Sequence, residues 1–431
     1  MKKRSLLIAV GVIVFGIIAS IALVSQTKKK EVAGKRAFPQ HTVYQAGTIK
    51  PDNLSQEEMD AAVTTFYETW KDNYLKQPAD KNDEYYIFYN DKGYAEPKNA
   101  VTVSEAHGYG MMITAIMAGS EDKRYFDGLY RFYKAHGSDH DPSLMAWQQV
   151  KDKSGKIINT PGDADSATDG DMDIAYSLLL AHRQWGSEGE IDYLASAKDI
   201  LDAIMSNEIN RSQSLVKLGD WAEDEDDVYG QSTRSSDLLL NHFKTFEAAT
   251  GNEEWKDVRD KAYKVILSIY KEKSGNTGLI PDFIVQTQGE YQPAEADFLE
   301  GENDGNYSWN SSRTPWRYTL DYLLTGDERA LPQLKKMNDW IKAETDGNPE
   351  NIQSGYTLSG KAVEEGNSTS FVAPFMVSAM VDSSNQQWIN RLWNRTIQEQ
   401  DDDDDYFANT IKLQTMIVAS GNWWAPLEET N

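Results

Sequence analysis

The 431-residue chain contains no cysteine, so it has no disulfide framework, no thiolate nucleophile and no cysteine-ligated zinc site. It has only six histidines, none in an HExxH pair, which excludes a metalloprotease of that type. No Walker or dinucleotide-binding glycine pattern occurs, and no other segment reads as a loop that grips phosphate. Positive charge is scarce. Against 68 Asp and Glu there are 43 Lys and Arg, a formal net charge of −25. An acidic surface of this size repels phosphate backbones, so no nucleic-acid partner is expected. The chain is otherwise globular in composition, 40% hydrophobic and 26% charged. Its 12 Trp, 22 Tyr and 13 Phe are more aromatic rings than a plain helical scaffold requires.

The basic residues are unevenly placed. Residues 1–36 hold eight of them and one acid, arranged as Met1-Lys2-Lys3-Arg4, an uncharged and mostly apolar run from Leu6 to Val24, then Lys28-Lys29-Lys30. Nineteen residues of helix span roughly 28 Å, close to the hydrocarbon thickness of a bilayer. The run is longer than a usual signal-peptide core, and no clean A-x-A site precedes the lysines. Basic residues at both ends argue against a buried core helix. The expectation is a membrane anchor or signal segment over residues 1–26, with the bulk of the chain exported, tethered or released by cleavage. A polar linker is expected at 27–45, then one domain over 46–431.

Within that domain, apolar residues recur mainly at helical spacing. Helices are expected near 55–75, 104–117, 123–137, 171–185, 191–208, 235–250, 253–273, 312–324, 328–344, 369–380, 386–398 and 406–419. Asn53 or Ser55 can cap the first, and Gly137, Gly251 and Gly326 stand where left-handed caps are wanted. No strongly alternating strand series competes. Twelve helices without an internal Pro/Gly/Ser linker can close into a double ring of six inner and six outer helices. The longer connections, 138–170, 209–234, 274–311 and 345–368, are polar and aromatic, and such loops on a rigid frame are where a site is sought.

Three segments carry chemistry. In Thr102-Val103-Ser104-Glu105-Ala106-His107-Gly108-Tyr109-Gly110-Met111, Glu105 sits in a first helical turn. Gly108 and Gly110 cost about 1 kcal/mol each against Ala unless something approaches closely. A ring-shaped ligand on an open surface there would desolvate Glu105 and raise its pKa into the range of a general acid; a simple helix-start carboxylate is the other reading. The second segment, Asp163 to Trp185, drives five carboxylates into an apolar helix. It is not an EF-hand, because the twelfth residue from Asp163 is Ile174 rather than Glu. An irregular cation site, a capping cluster and carboxylates aimed at sugar hydroxyls remain as readings. The third, Asp297 to Arg317, is an acidic glycine-broken loop, then aromatics, then a helix start with Arg313, Pro315 and Arg317. Carboxyls on separate elements, aromatic platforms and hydroxyl-binding groups are the parts glycoside hydrolysis needs.

The second segment resembles the signature of glycoside hydrolase family 8 at every fixed position: Ala167-Thr168-Asp169-Gly170-Asp171, Ile174-Ala175, Ser177-Leu178-Leu179, Ala181 and Trp185. Ser104-Glu105, Arg234-Ser235-Ser236-Asp237 and Arg313-Thr314-Pro315-Trp316-Arg317 follow in the family's order, and the resemblance covers roughly residues 45–425. It implies an all-α (α/α)6 barrel and an inverting endo-hydrolase of β-1,4-linked polysaccharide, whether cellulose-type or mixed-linkage glucan, chitosan or xylan. By that resemblance Glu105 is the general acid and Asp169 grips the sugar in the −1 subsite. Where many members carry the base as Asp, this chain has Asn310. That departure resembles a subgroup whose base is a Glu on an inserted loop, which points to Glu300 first, with Glu302 and Asp304 behind it.

Trp147, Trp221, Tyr229, Tyr307 and Trp309 are candidates for stacking on sugar rings, each equally able to serve as barrel packing. Arg234, Asp237, Asn310 and Arg313 are candidates for holding substrate or the catalytic groups. His107 and His140 read as structural histidines, and the runs Glu223–Asp227 and Asp401–Asp405 as solvated surface. Neither a cofactor nor a metal is expected, and a monomer is. The polyanionic surface keeps cationic chitosan open as a substrate beside β-glucan. A non-catalytic glycan-binding surface protein, with Asn310 marking a lost base, is the rival from another class.

Overall fold

Met59, Val63, Tyr67, Trp70 and Tyr74 recur every three or four positions and form the buried face of the first helix, α1 (Gln56–Tyr74). Ser55 caps it in a capping box with Glu58: the Glu58 amide donates to Ser55 Oγ, and the Ser55 amide donates to Glu58 Oε2 at 2.8 Å. The computed structural model describes residues 33–90, 96–226, 228–398 and 405–427.

Among the described residues the expected twelve helices all form, in alternating kinds. The odd-numbered ones bury one stripe: α1, α3 (Asp122–Ala135), α5 (Tyr193–Asn207), α7 (Glu254–Lys273), α9 (Leu331–Glu344) and α11 (Gln386–Gln398). The even-numbered ones are buried on nearly every side: α2 (Ser104–Met117), α4 (Thr168–Trp185), α6 (Leu240–Thr250), α8 (Thr314–Thr325), α10 (Thr369–Ser378) and α12 (Tyr406–Ala419). Successive even helices pack on one another, and α1 lies on α12 through Trp70 Nε1 to Thr410 Oγ1 and Asn409 Nδ2 to Tyr74 OH, both at 2.9 Å. This is the (α/α)6 barrel, six helices inside and six outside.

Gly251 and Gly326 take the left-handed cap conformations expected of them (φ 70° and 74°). Gly137 does not cap. Its backbone instead lies against Pro142, where a Cβ would meet Pro142 Cα at 2.8 Å.

The loops contain short strands that sequence alternation cannot reveal at their length of two to five residues. Antiparallel pairs join β1 (Leu75–Lys76) to β2 (Tyr86–Ile87), and β6 (Ile209–Asn210) to β7 (Leu215–Val216). Two three-stranded antiparallel sheets edge the mouth of the barrel. One is β3 (Ala100–Val103), β4 (Gln148–Lys151) and β5 (Ile157–Asn159), in that order. In the other, β9 (Phe283–Thr287) lies between β8 (Ser232–Arg234) and β10 (Glu290–Pro293). Strand β3 ends where Ser104-Glu105 begins, and β8 ends on Arg234, so both sheets hand their chains directly into the inner ring.

The expected linker is corrected where it is described. Residues 34–41 are docked on the barrel: Gly34 N donates to Ala118 O at 2.8 Å, and Lys35 N to Gln184 O at 3.0 Å. The amides of Gln40 and His41 share Asn422 Oδ1, and Arg36 lies over the Trp424 ring. These backbone bonds outweigh the polar composition that reads as linker. Among the described residues no helix is long and apolar enough to cross a membrane; the run from Leu6 to Val24 lies outside them.

Candidate active site

The N-termini of the inner helices converge at one end of the barrel, and three of them deliver charged side chains to a common point. Helix α2 brings Glu105, α4 brings Asp169 and the turn leading into α8 brings Arg313. Arg313, 1% exposed, donates from Nη1 to Glu105 Oε2 at 2.5 Å, to Tyr109 OH at 2.9 Å and to Asp169 Oδ2 at 3.2 Å. From Nη2 it reaches Ser236 Oγ at 3.0 Å and Asn310 Oδ1 at 2.9 Å. One turn on, Arg317 bonds Tyr109 OH and Asp173 Oδ2, and Asp173 also meets His242. Tyr109 and Arg317 stand in the segments read from the sequence but not among its site candidates, although each lies four residues beyond one, the spacing that puts two side chains on one helix face.

The neighbouring carboxyls of Glu105 and Asp169 are pushed in opposite directions. Burial raises the Glu105 pKa, Arg313 opposes this, and the Asp169 charge raises it further. Asp169 is buried too, but Arg313, Arg234 and Arg317 together outweigh that and hold it below the usual range. Carboxyls separated in this way can serve as a proton donor beside a fixed charge.

Of the three candidate bases on the 297–306 loop, Glu300 is the one joined to this cluster. Its Oε1 accepts from Arg234 Nη2 at 2.8 Å and its Oε2 from Asn310 Nδ2 at 2.7 Å. Arg234 also reaches Asp237, whose carboxyl is raised by burial. Asp304 points away from the cleft: it is buried and its oxygens accept the amides of Leu299, Glu300 and Gly301. Among the described residues no hydrogen bond or ion pair joins exposed Glu302 to the cluster. Asp282, unnoticed in the sequence, accepts the amides of Ser308, Asn310 and Ser311 and so fixes Asn310; burial lifts its pKa to about 6.

The aromatic candidates divide. Trp309 remains 41% exposed, its indole donating to Glu364 and its ring set against Phe371 and Phe407. Trp221, Tyr229 and Phe298 form a contiguous strip, and half-buried Trp147 accepts the Ser104 amide on its carbonyl beside Glu105. Tyr307 is fully buried among Tyr356, Phe371 and Phe375, so it is barrel packing and not a sugar platform. The glycines of α2 are likewise packing features. A Cβ on Gly108 would meet Asp173 Cβ at 2.7 Å, and one on Gly110 would meet Ile87 Cγ1 at 2.3 Å. They admit neighbouring elements and leave no open surface for a ring.

The acidic second segment is used for structure behind the site. Asp171 Oδ1 accepts the Met145 amide, and Glu208 accepts from Ser166 Oγ. Both carboxyls are fully buried, and among the described residues Asp171 Oδ2 and Glu208 Oε2 have no hydrogen-bond partner, an arrangement that one proton shared between them would satisfy. Burial and mutual repulsion, with Asp220 and Asp237 nearby, raise both pKa values. His140 and Asp165 pair at 3.2 Å beside Asp220, ligand atoms within 4.8 Å of one another, while Asp220 accepts the Ser166 amide and the Ser138 hydroxyl. His107 bonds the Leu129 carbonyl inside the barrel, with burial lowering its pKa to about 4.

A proton held more tightly by the folded state than by the unfolded state stabilises the fold fully below the ordinary carboxylate pKa. That stability is lost as pH rises through the folded value. Melting followed by circular dichroism from about pH 6.5 to about pH 8, above the range where the buried His107, His136 and His242 add the opposite slope, should therefore show stability falling, by about 1.4 kcal/mol per pH unit for one such proton. Glu105 and Asp237 contribute slopes of the same sign. Glu208→Gln, which keeps a donor facing Asp171, isolates the share of the pair; an unchanged slope would show that no proton is held there.

Comparison with known proteins agrees with this architecture. The profile of the family described as Glycosyl hydrolases family 8 matches residues 53–421. A beta-glucanase of Niallia circulans is 51% identical over 394 residues, 91% of this chain and 92% of the relative. An endoglucanase of Bacillus sp. strain KSM-330 is 37% identical, covering 91% and 83%. Among solved structures, the apo beta-1,3-1,4-glucanase of Paenibacillus sp. X4 superposes with a TM-score of 0.85 at 51% identity, over 91% of this chain and 100% of the other. A cold-adapted family 8 xylanase shares the fold at 18% identity and a TM-score of 0.73, covering 90% and 97%. With the barrel, the signature residues and these relatives in agreement, the chain belongs to the glycosyl hydrolases of family 8.

Proposed function

We propose that the chain is an inverting endo-hydrolase of β-1,4-linked glucan, of cellulose or mixed-linkage type. Glu105 is the general acid, Glu300 the general base, and Asp169 the carboxylate that grips the sugar between them. The observation that carries this reading is the bridge from Glu105 through Arg313 and Asn310 to Glu300: two carboxyl groups from distant segments hang from the ends of one guanidinium–amide pair. In an inverting site the carboxyls stand about 6.5–9.5 Å apart to admit one water. Glu300 takes a proton from that water as its oxygen bonds to the anomeric carbon. The glycosidic bond breaks, and Glu105 gives its proton to the departing oxygen. Trp309 on one side and the Trp221–Tyr229–Phe298 strip on the other offer faces for rings of the polymer.

The beta-glucanase and endoglucanase relatives support glucan as substrate. Proton NMR of the first product from lichenan or carboxymethyl cellulose should show the α-anomer. A β-anomer rejects direct attack by water and with it the roles given to Glu105 and Glu300. A second substrate is favoured by one observation: Glu223, Asp224, Glu225 and Asp226 are exposed immediately between Trp221 and Tyr229. An acidic rim beside a stacking strip suits a cationic sugar, so chitosan belongs in the same assay panel. Glycan binding without release of reducing ends would instead establish the non-catalytic reading.

The basic-flanked run from Leu6 to Val24 supports export, with the barrel tethered at the membrane or freed by cleavage. N-terminal sequencing of the mature protein, with its partition between envelope and medium, decides between them.

A further inference from the structure

We propose that Asp304 is a positioning residue whose carboxylate sets where Glu300 stands. The inference rests on the reading of Glu300 as the base. Three consecutive amides, those of Leu299, Glu300 and Gly301, converge on the two oxygens of Asp304 at 2.7, 3.0 and 3.0 Å. Only a carboxylate has acceptor capacity for all three without presenting a donor of its own. The amide of Glu300 itself is one of them, so the fix acts on the backbone from which the Glu300 side chain springs. That side chain is 46% exposed and is otherwise held only by its tip, through Arg234 and Asn310.

The loop has few other restraints. It turns back on itself through Asp297 N to Gly301 O at 2.8 Å and Asp304 N to Gly301 O at 3.2 Å. Its apolar contacts in the cleft wall are those of Phe298 with Tyr229 and Phe283. Asp304 in turn is tied to the frame. Its carbonyl accepts the Phe283 amide at 2.9 Å, and the next residue, Gly305, lies so close to Ala294 that a Cβ would sit 2.2 Å from the Ala294 oxygen.

The same point of the frame serves every neighbour of Glu300. Phe283 pairs in register with Arg234 and carries that guanidinium over its ring at 5.1 Å, while Asp282 fixes Asn310. The dipeptide Asp282-Phe283 is thus the origin from which Arg234, Asn310 and, through Asp304, the Glu300 backbone are all placed. Two of those placements hold the carboxylate by its tip; Asp304 supplies the third, at its base.

The test is a double-mutant cycle on a soluble β-glucan. Asp304→Asn puts an N–H where amides now donate. It should lower kcat roughly 10- to 100-fold, the scale of a base displaced by about an ångström, with KM within about three-fold of the parent. In the Glu300→Gln background the same change should cost nothing further, because a residue acting through Glu300 has nothing left to position. If Asp304→Asn fails to fold, Asp304→Glu carries the test: it keeps the charge, shifts it by one methylene and should show the same non-additivity. A wild-type kcat in the folded variant, or losses that multiply in the double variant, overturns the inference while leaving Glu300 as the base. Full activity of Glu300→Gln alone overturns the reading of the base and the inference with it.

Discussion

Glu105→Gln should lower kcat on a polymeric β-glucan about 10³-fold, roughly 4 kcal/mol of barrier, while KM changes little. The substitution keeps an oxygen to accept from Arg313, so the cluster of Arg313, Tyr109 and Asp169 stays assembled and the cleft keeps its shape. What disappears is the proton. Burial and the adjacent Asp169 raise the Glu105 pKa, against the pull of Arg313, so the carboxyl keeps that proton to higher pH than an ordinary Glu. A sugar ring in the cleft displaces the water that reaches its 19% exposed side chain and pushes in the same direction. On the proposed mechanism the alkaline limb of the rate profile belongs to Glu105. A substrate whose leaving group needs no protonation separates this role from a structural one. On a dinitrophenyl glycoside of the same oligosaccharide, the loss in Glu105→Gln should shrink to about ten-fold or less. An equal loss on both substrates would mean that the change had damaged the cleft, and Glu105 would not be the acid.

Helical spacing exposed the frame because each outer helix has to bury a stripe while each inner helix is buried on nearly every side; Met59, Val63, Tyr67, Trp70 and Tyr74 show the first pattern plainly. Glu105, Asp169 and Arg313 stand at helix starts after loops, but position alone leaves a helix-start carboxylate ambiguous, and they were legible through the resemblance of their segments to the family signature. The candidates for the base were harder to separate. Glu300, Glu302 and Asp304 lie within five residues on one loop, and their chemistry in sequence is the same. Three amides inside the loop claim Asp304, and two donors outside it, Arg234 and Asn310, claim Glu300. Only the folded path of the chain separates those partners. Tyr307 and Trp309 pose the same problem two residues apart. Tyr307 faces Phe371 and Phe375 within the barrel, and Trp309 emerges into the cleft. The glycines of α2 signal a close approach in the sequence but not its partner, which at Gly108 is Asp173 of α4, 65 positions away.

Glu300→Gln should cost about 10³-fold in kcat as well, and its signature should be the opposite of that of Glu105→Gln. Each Glu300 oxygen now accepts one hydrogen bond, from a guanidinium on one side and a carboxamide on the other, and each keeps a lone pair for a water. Gln has one such oxygen, and its amide nitrogen must face either Arg234 or Asn310, both donors. The variant therefore loses proton acceptance and turns the side chain away from one neighbour. The attacking water still has to give up a proton however good the leaving group is, so the dinitrophenyl glycoside should recover nothing. The alkaline limb proposed for Glu105 should persist. Recovery of Glu300→Gln on the dinitrophenyl glycoside, or full activity on the polymer, would assign the water's proton to another carboxylate. Asp304 is bound up in backbone amides, and Asp169 is held by Arg313 and the Gly170 amide, which leaves exposed Glu302 as the acid to examine next.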